Sequence, residues 1–371
     1  MAHFIRDTGS DLTPLQHSMD IFKEYLKMNP YAGRMGKKGS GKIIIVDSSE
    51  FQGRSAGDTA RFHFIPQNKT DGIYGQNADV LGNEDVIDEY SMDMKIDQVT
   101  KAFAKKGKMT DIRAIWDFRT EAKQQLIKWF ADKHAYWIAM ALTGYISDGF
   151  TFVSDPRNAD VVSGTGRIVV AKGATSFQIL ADTYSSEADL LADYDGAGGT
   201  LATTDKMNTY LLDELEIIAK EGNPDYRVRP VRSDSNGSEY FVLDLSLAAY
   251  RDLKQDTRFN AKLVSLNDAS LDVNKDTFAK GALGVWNNII ITKNEFVYKF
   301  KNDAGTETYA RNLLMGADAM VMGYAQTQDY TEELLDHKRK MSVASDEISG
   351  RKKITFNGVD LNVIQVVTAS N

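Results

Sequence analysis

The sequence predicts an α+β fold in which small sheets are arranged around one long helix. Three observations carry this. Thr110 to Leu142 contains no Gly or Pro; two runs with strand alternation flank a polar, Gly-spotted stretch; and from Tyr226 onward strand-like runs follow one another with short turns.

Thr110 to Leu142 reads as a helix about 50 Å long at 1.5 Å rise per residue. Asp111 suits the positive end of its dipole, and Gly144 is the expected left-handed stop. Ile115, Phe118, Ala122, Leu126, Trp129, Phe130, Trp137 and Ala141 recur three, four or seven apart, so this stripe must face other structure. Arg113, Arg119, Glu121, Lys123 and Lys128 turn outward, whereas Ala135 to Leu142 is apolar nearly all round and reads as buried. The heptad stops at Gly144, which favours a helix against a sheet or a neighbouring subunit over a coiled coil.

A chain of 371 residues with 42% hydrophobic content is expected to hold two or three domains with ample core. The absence of cysteine excludes disulfides, thiolate metal sites and cysteine nucleophiles. Residues 1–20 lack the apolar core of a signal peptide, and no window approaches the apolar length of a membrane span, so no membrane role is expected. The net charge of −8 argues against a surface devoted to nucleic acid. Local charge is more telling: Lys23, Lys27, Arg34, Lys37, Lys38 and Lys42 make one segment basic, while Asp71, Asp79, Glu84, Asp85, Asp88, Glu89, Asp93 and Asp97 make a nearby one acidic.

In order, Leu15 to Lys27 is a helical candidate, followed by Asn29-Pro30 and a basic Gly-rich run that reads as an extended arm. Lys42 to Val46 is a buried strand. TARFHFI alternates Ala60, Phe62 and Phe64 against Arg61 and His63, and YSMDMKIDQV alternates Met92, Met94 and Ile96 against Asp93, Lys95 and Asp97. Together they form a long hairpin with an acidic tip, Pro66 to Glu89, marginal on its own and in need of a surface to lie on. Arg167 to Ala171 is a strand, and Thr204 to Lys220 a helix with Met207, Leu211, Leu215 and Ile218 inward. YFVLDL is a strand behind an Asn236-Gly237 turn, LSLAAYRDL a short helix, VWNNIIIT a strand, and EFVYKF pairs with TETYA across Asn302 to Gly305. Ala310 to Ala325 reads as an apolar helix, and KKITF with LNVIQVV as a closing hairpin around Asn357-Gly358.

Catalytic patterns are incomplete. Gly36 to Lys42 fits a phosphate loop up to Lys42, but Ile43 stands where Ser or Thr must bind Mg²⁺, and the run precedes a strand instead of opening a helix. A flexible basic arm explains it better than nucleotide binding. The histidines, His134 on the long helix among them, are scattered without ligand spacing, so no metal or other cofactor is expected.

GDTARFHF (Gly57 to Phe64), LGNEDVIDEY (Leu81 to Tyr90), KIDQV (Lys95 to Val99), Gly281-Ala282-Leu283-Gly284, LLMGADA (Leu313 to Ala319) and GRKKITFNG (Gly350 to Gly358) follow one another in an order that resembles the major capsid proteins of tailed bacteriophages, with the Hong Kong 97-type fold. The resemblance spans about Ser55 to Ala369. It implies an N-terminal arm over 1–45, an extended β-hairpin loop over 46–100, a peripheral domain over 101–225 and 341–371 with its spine helix at 110–142, and an axial domain over 226–340. It also implies a non-enzymatic virion protein that assembles with itself, in the host cytoplasm, into hexamers and pentamers of an icosahedral head. Packaged double-stranded DNA would be touched non-specifically, with portal, scaffold and decoration proteins as further partners. The alternatives are an encapsulin-like shell around protein cargo and a phosphate-loop nucleotide-binding enzyme. Opposite charges on the two segments suggest that the loop acids Asp71, Asp79, Glu84, Asp85, Asp88 and Glu89 meet Lys37, Lys38, Lys101, Lys105 and Lys106 of an adjacent subunit, which sets register more than affinity.

Overall fold

The computed structural model describes residues 12–48, 57–64, 89–107, 117–144, 146, 168–173, 176–180, 203–221, 227–233, 239–261, 282–301, 308–337, 339–356 and 359–370. Two mixed-order sheets and four helices, α1 (Leu12–Met28), α2 (Phe118–Thr143), α3 (Thr209–Glu221) and α4 (Leu247–Gln255), make up most of them.

Helix α2 is the long helix, but it starts later than the sequence suggested. Asp117 is its N-cap, held in an extended conformation, and its carboxylate accepts from the backbone N–H of Thr120 at 3.2 Å and from the Thr120 hydroxyl at 2.7 Å. A cap residue with non-helical dihedrals cannot sit inside a helix, so α2 spans 26 residues, about 39 Å. Asp111 and Ile115 lie outside the described residues. At the other end Gly144 takes φ 91°, the left-handed stop expected of it. From Ala135 to Thr143 only Tyr136 reaches solvent, as the all-round apolar composition required.

One sheet has the order β1 (Met35–Gly36), β2 (Ile44–Val46), β14 (Met320–Leu335), β15 (Lys340–Lys353) and β5 (Asp97–Ala104). Its centre is the long antiparallel hairpin β14–β15, turned at Asp336 and His337, both at positive φ, a region that Asp and His enter more readily than most residues. The segment expected to be a free arm is packed: Ile21 and Tyr25 of α1 are fully buried in a cluster with Leu126, Phe130, Tyr330 and Val343. Arg34, counted with the basic run, is also buried. Asp97–Ala104, β5, pairs antiparallel with Ser342–Ser349 of β15.

The nine-stranded sheet runs β10 (Ala282–Trp286), β11 (Ile289–Lys293), β9 (Glu239–Leu245), β13 (Thr308–Met315), β18 (Val363–Ala369), β6 (Ile168–Lys172) and β7 (Ser176–Leu180), with β12 (Lys299–Lys301) beside β13 and β8 (Arg232–Ser233) beside β9. Alternation splits it cleanly. Phe241, Leu243, Val169, Leu314 and Val366 face a cluster with Leu211, Leu215 and Leu253 of α3 and α4, while Val242, Val170, Leu313 and Val367 face Ile138 and Leu142 of α2.

That coverage of both faces explains the main misreading. Ala310 to Ala325, expected as one helix, is the end of β13, a turn at Gly316 to Ala319, and the start of β14. A central strand buried on both sides shows no alternation and mimics a buried helix. VWNNIIIT is likewise two strands, β10 and β11, joined at Asn287 and Asn288 with φ 40° and 67°. The closing hairpin is limited to β16 (Thr355–Phe356) and β17 (Val359–Asp360), after which β18 joins the nine-stranded sheet. The strands are therefore shared out differently from the expected segments: 320–335 lies with β15 and β5, whereas 168–172 and 363–369 pair with the strands of 239–315.

Candidate assembly surface

The strands expected to form the projecting hairpin pair as predicted: β3 (Thr59–Phe64) runs antiparallel to β4 (Tyr90–Lys95), with Ala60 opposite Met94 and Phe62 opposite Met92. Among the described residues these two strands form a sheet of their own. It is seated by one face only, where Ala60, Phe62, Met92 and Met94 pack with Ile45, Val321 and Ile354. The other face is charged. Arg61 grips Asp93 with two hydrogen bonds of 2.6 and 2.9 Å, which holds the Asp93 carboxyl below its usual range, and His63 Nδ1 lies 3.0 Å from Glu89 Oε1.

Two lysines tie the hairpin to the body: Lys38 donates to the carbonyl of His63 at 2.7 Å, and Lys352 to that of Asp93 at 2.9 Å. Of the acids assigned to the interface, Glu89 is placed, beside His63 in its own chain; Asp71, Asp79, Glu84, Asp85 and Asp88 lie outside the described residues. Of the bases, Lys37, Lys38 and Lys106 are exposed, Lys105 is half-buried with its backbone N–H on Met341, and Lys101 sits over the rings of Phe103 and Trp129. The structure thus puts Lys38 beside His63, at the end of the β3–β4 strands from which 65–88 departs, and Lys101, Lys105 and Lys106 on β5 and just beyond it.

The phosphate-loop segment makes a turn, the backbone N–H of Ser40 bonding to the carbonyl of Lys37, and then enters β2. Lys42 Nζ donates to the carbonyl of Gly33 at 3.1 Å. Among the described residues no group of three or more His, Asp or Glu side chains is placed to hold a metal ion, and no helix is long and apolar enough to cross a membrane.

Among the buried ionic sites that sequence reasoning missed, two join distant parts of the chain. Arg34 Nη1 lies 2.7 Å from both oxygens of Asp244, while its Nη2 donates to Thr292 Oγ1 at 2.9 Å. His134 of α2 meets Glu347 of β15 at 2.9 Å, both buried. No spacing in the sequence marks either pair, whose members stand 210 and 213 residues apart.

Residues 8–371 match the family model described as phage capsid protein. A major capsid protein of Pseudomonas phage KPP25 is 24% identical over 361 residues, covering 88% of each chain. The capsid of Ralstonia phage GP4 superposes with a TM-score of 0.71 at 21% identity, covering 92% of this chain and 91% of that one; the Cyanophage Pam1 capsid gives 0.70 at 21% identity, with 93% of both covered. The mixed helix-and-strand architecture is thus that of phage capsid subunits, and the resemblance noted in the sequence holds along most of the chain. With a family model matched from residue 8 to the C-terminal Asn371, the chain belongs to the phage capsid protein family and is a component of the virion shell.

Proposed function

We propose that this chain is the major, repeating subunit of an icosahedral head, assembling with copies of itself as hexamers and pentamers around packaged double-stranded DNA, in a structural and not a catalytic role. The observation that carries it is the family match over 8–371, supported by capsid folds that cover nine-tenths of the chain.

The physical reading agrees. The β3–β4 hairpin has one seated face and leads into the stretch 65–88, whose acids match the basic groups near β5 and the 36–42 turn in sign. In this reading the loop of one subunit lies on the next, and Lys37, Lys38, Lys101, Lys105 and Lys106 provide the complementary charge. DNA pressed into such a shell needs no base-specific contact, so a net charge of −8 is compatible with it. Portal, scaffold and decoration proteins complete the set of partners.

Electron microscopy of the purified protein, with assay of its nucleic-acid content, tests the proposal. Icosahedral particles that carry DNA when produced during infection support it. Particles that carry a protein cargo and no DNA would assign the shell to a compartment, and particles of no regular form would refute the role.

A further inference from the structure

The face of β15 that lies under α2 is polar and closed to water. Ser345, Glu347, Ser349 and Arg351 alternate along it, and each is at most 1% exposed. His134 Nε2 lies 2.9 Å from Glu347 Oε2, to which Gln328 of β14 donates at 3.2 Å. Arg351 donates to Ser349 Oγ at 2.6 Å, and its guanidinium lies 4.5 Å from the ring centroid of Trp137. From α1, Tyr25 stacks on the imidazole with centroids 4.9 Å apart, its hydroxyl 3.0 Å from that of Tyr324. One cluster therefore joins α1, α2, β14 and β15. Facing Glu347, β14 shifts register twice, between Tyr324 and Gln326 and between Gln326 and Asp329, so the extra residues of the hairpin fall at the cluster.

The charges balance only while the imidazole is neutral. Burial holds His134 below its ordinary pKa, a pull that attraction to Glu347 opposes and Arg351 adds to; Glu347 is kept ionised by His134 and Arg351 in spite of its burial. Burial keeps Tyr25 and Tyr324 protonated. With Nε2–H directed at Glu347, the other nitrogen, His134 Nδ1, has no hydrogen-bond partner among the described residues, and neither have Gln328 Oε1, Arg351 Nε and Arg351 Nη1. A proton on Nδ1 would place a second cation beside Arg351 against a single carboxylate, and would leave a buried N–H donor with no acceptor among the described residues.

We propose that His134, Glu347 and Arg351 form an acid-sensitive latch, closed while the imidazole is neutral and loosened by protonation of Nδ1, so that α1 and the β14–β15 hairpin part from α2. Because the closed form binds the proton more weakly than the open form, the closed form is fully favoured above the ordinary histidine pKa of 6.5. It loses ground as pH falls below that value, by at most about tenfold per pH unit for one proton. His17, at the same junction but partly exposed beside Lys123 and Asp20, is the other histidine there and serves as the control.

Amide hydrogen exchange of the full chain at pH 7.5, 6.5 and 5.5, corrected for intrinsic exchange rates, reads the latch. Protection across 12–28 and 341–353 is expected to fall between pH 6.5 and 5.5 by up to about tenfold, while β9 and β13 hold theirs. His134→Gln, which retains an N–H for Glu347, should remove the larger part of that pH dependence, and His17→Gln, which removes only the contribution of a partly exposed imidazole, should leave the larger part in place. Should His134→Gln fail to fold, the histidine resonances of the native chain supply the comparison, since the midpoint of His134 must lie below 6.5, at the pH where the loss of protection levels off. Protection that is level from pH 7.5 to 5.5, or a dependence that survives undiminished in folded His134→Gln, overturns the proposal.

Discussion

Arg34 and Asp244 are joined at 2.7 Å through both carboxylate oxygens, with the Asp244 side chain fully buried and that of Arg34 8% exposed. The pair fastens the short 3-10 turn at Ala32–Arg34 to the centre of the nine-stranded sheet, where Thr292 and Asn294 share the carboxylate. Its removal from one side leaves a charge in the interior. Arg34→Met is expected to lower unfolding stability by about 3–5 kcal/mol, and Arg34→Met with Asp244→Leu to recover part of that loss. Urea unfolding of the soluble subunit measures both; an additive double variant would mean that the pair is not coupled.

Asp117 sets where the long helix begins. Asp117→Ala should cost about 1 kcal/mol, and Asp117→Asn less, because an amide oxygen still accepts from Thr120. Hydrogen bonds from the Thr120 hydroxyl and backbone hold the Asp117 carboxyl below its ordinary pKa. Its contribution is therefore complete above the ordinary value of 3.8 and fades as pH falls through the lower folded-state value. Comparing the acid unfolding of native chain and Asp117→Asn should show the native advantage shrinking only below about pH 4.

Gly316 marks the turn that the helical reading overlooked. A Cβ there would stand 2.2 Å from the carbonyl oxygen of Arg229 and 2.5 Å from Val228 Cγ1, so Gly316→Ala forces the backbone of the irregular segment ahead of β8 aside and should cost about 1–3 kcal/mol. Gly350→Ala, with Lys95 O at 2.4 Å, belongs to the same class. Thermal melts of the two variants that matched the native chain would contradict the packing described.

Legibility followed exposure. The β3–β4 hairpin could be read because one face meets solvent, and its Ala60, Phe62, Met92 and Met94 are the residues found inward. The buried half of α2 and the strands at Ile44, Ile168 and Glu239 were legible from apolar runs bounded by turn residues. Three features were not. Strands β13 and the start of β14, covered on both faces, lack a period; Asn287-Asn288 was a turn signal passed over inside an apolar run. On β15 polarity does not mark the buried side, because Ser345, Glu347, Ser349 and Arg351 are the inward face and Ala344 and Ile348 the more open one. Only the tertiary partners His134 and Gln328 make that polar face inward. The charges assigned to the interface were read from composition alone; Lys37 and Lys106 are exposed, while Lys38 and Lys101 have partners within the chain.

Reversing the acids of the loop tests its part in register. Asp79, Glu84, Asp85 and Asp88 changed together to Lys should leave the circular dichroism of the subunit unchanged and reduce the yield of regular particles at least about tenfold, since like charges then face Lys37, Lys38 and Lys106. Salt should restore little of it, because repulsion in a contact is screened less than at free surface. Normal particles from this variant would remove the loop from the assembly contacts.

The most direct measurement is an icosahedral cryo-electron microscopy reconstruction of the particle, followed by tracing residues 65–88 from Phe64 to Glu89. The account predicts one subunit fold repeated over the shell, with that segment resting on the neighbouring subunit near its Lys101, Lys105 and Lys106. Density that folds the segment back over its own β3–β4 strands, or a chain that sediments only as single copies at every concentration, would contradict it.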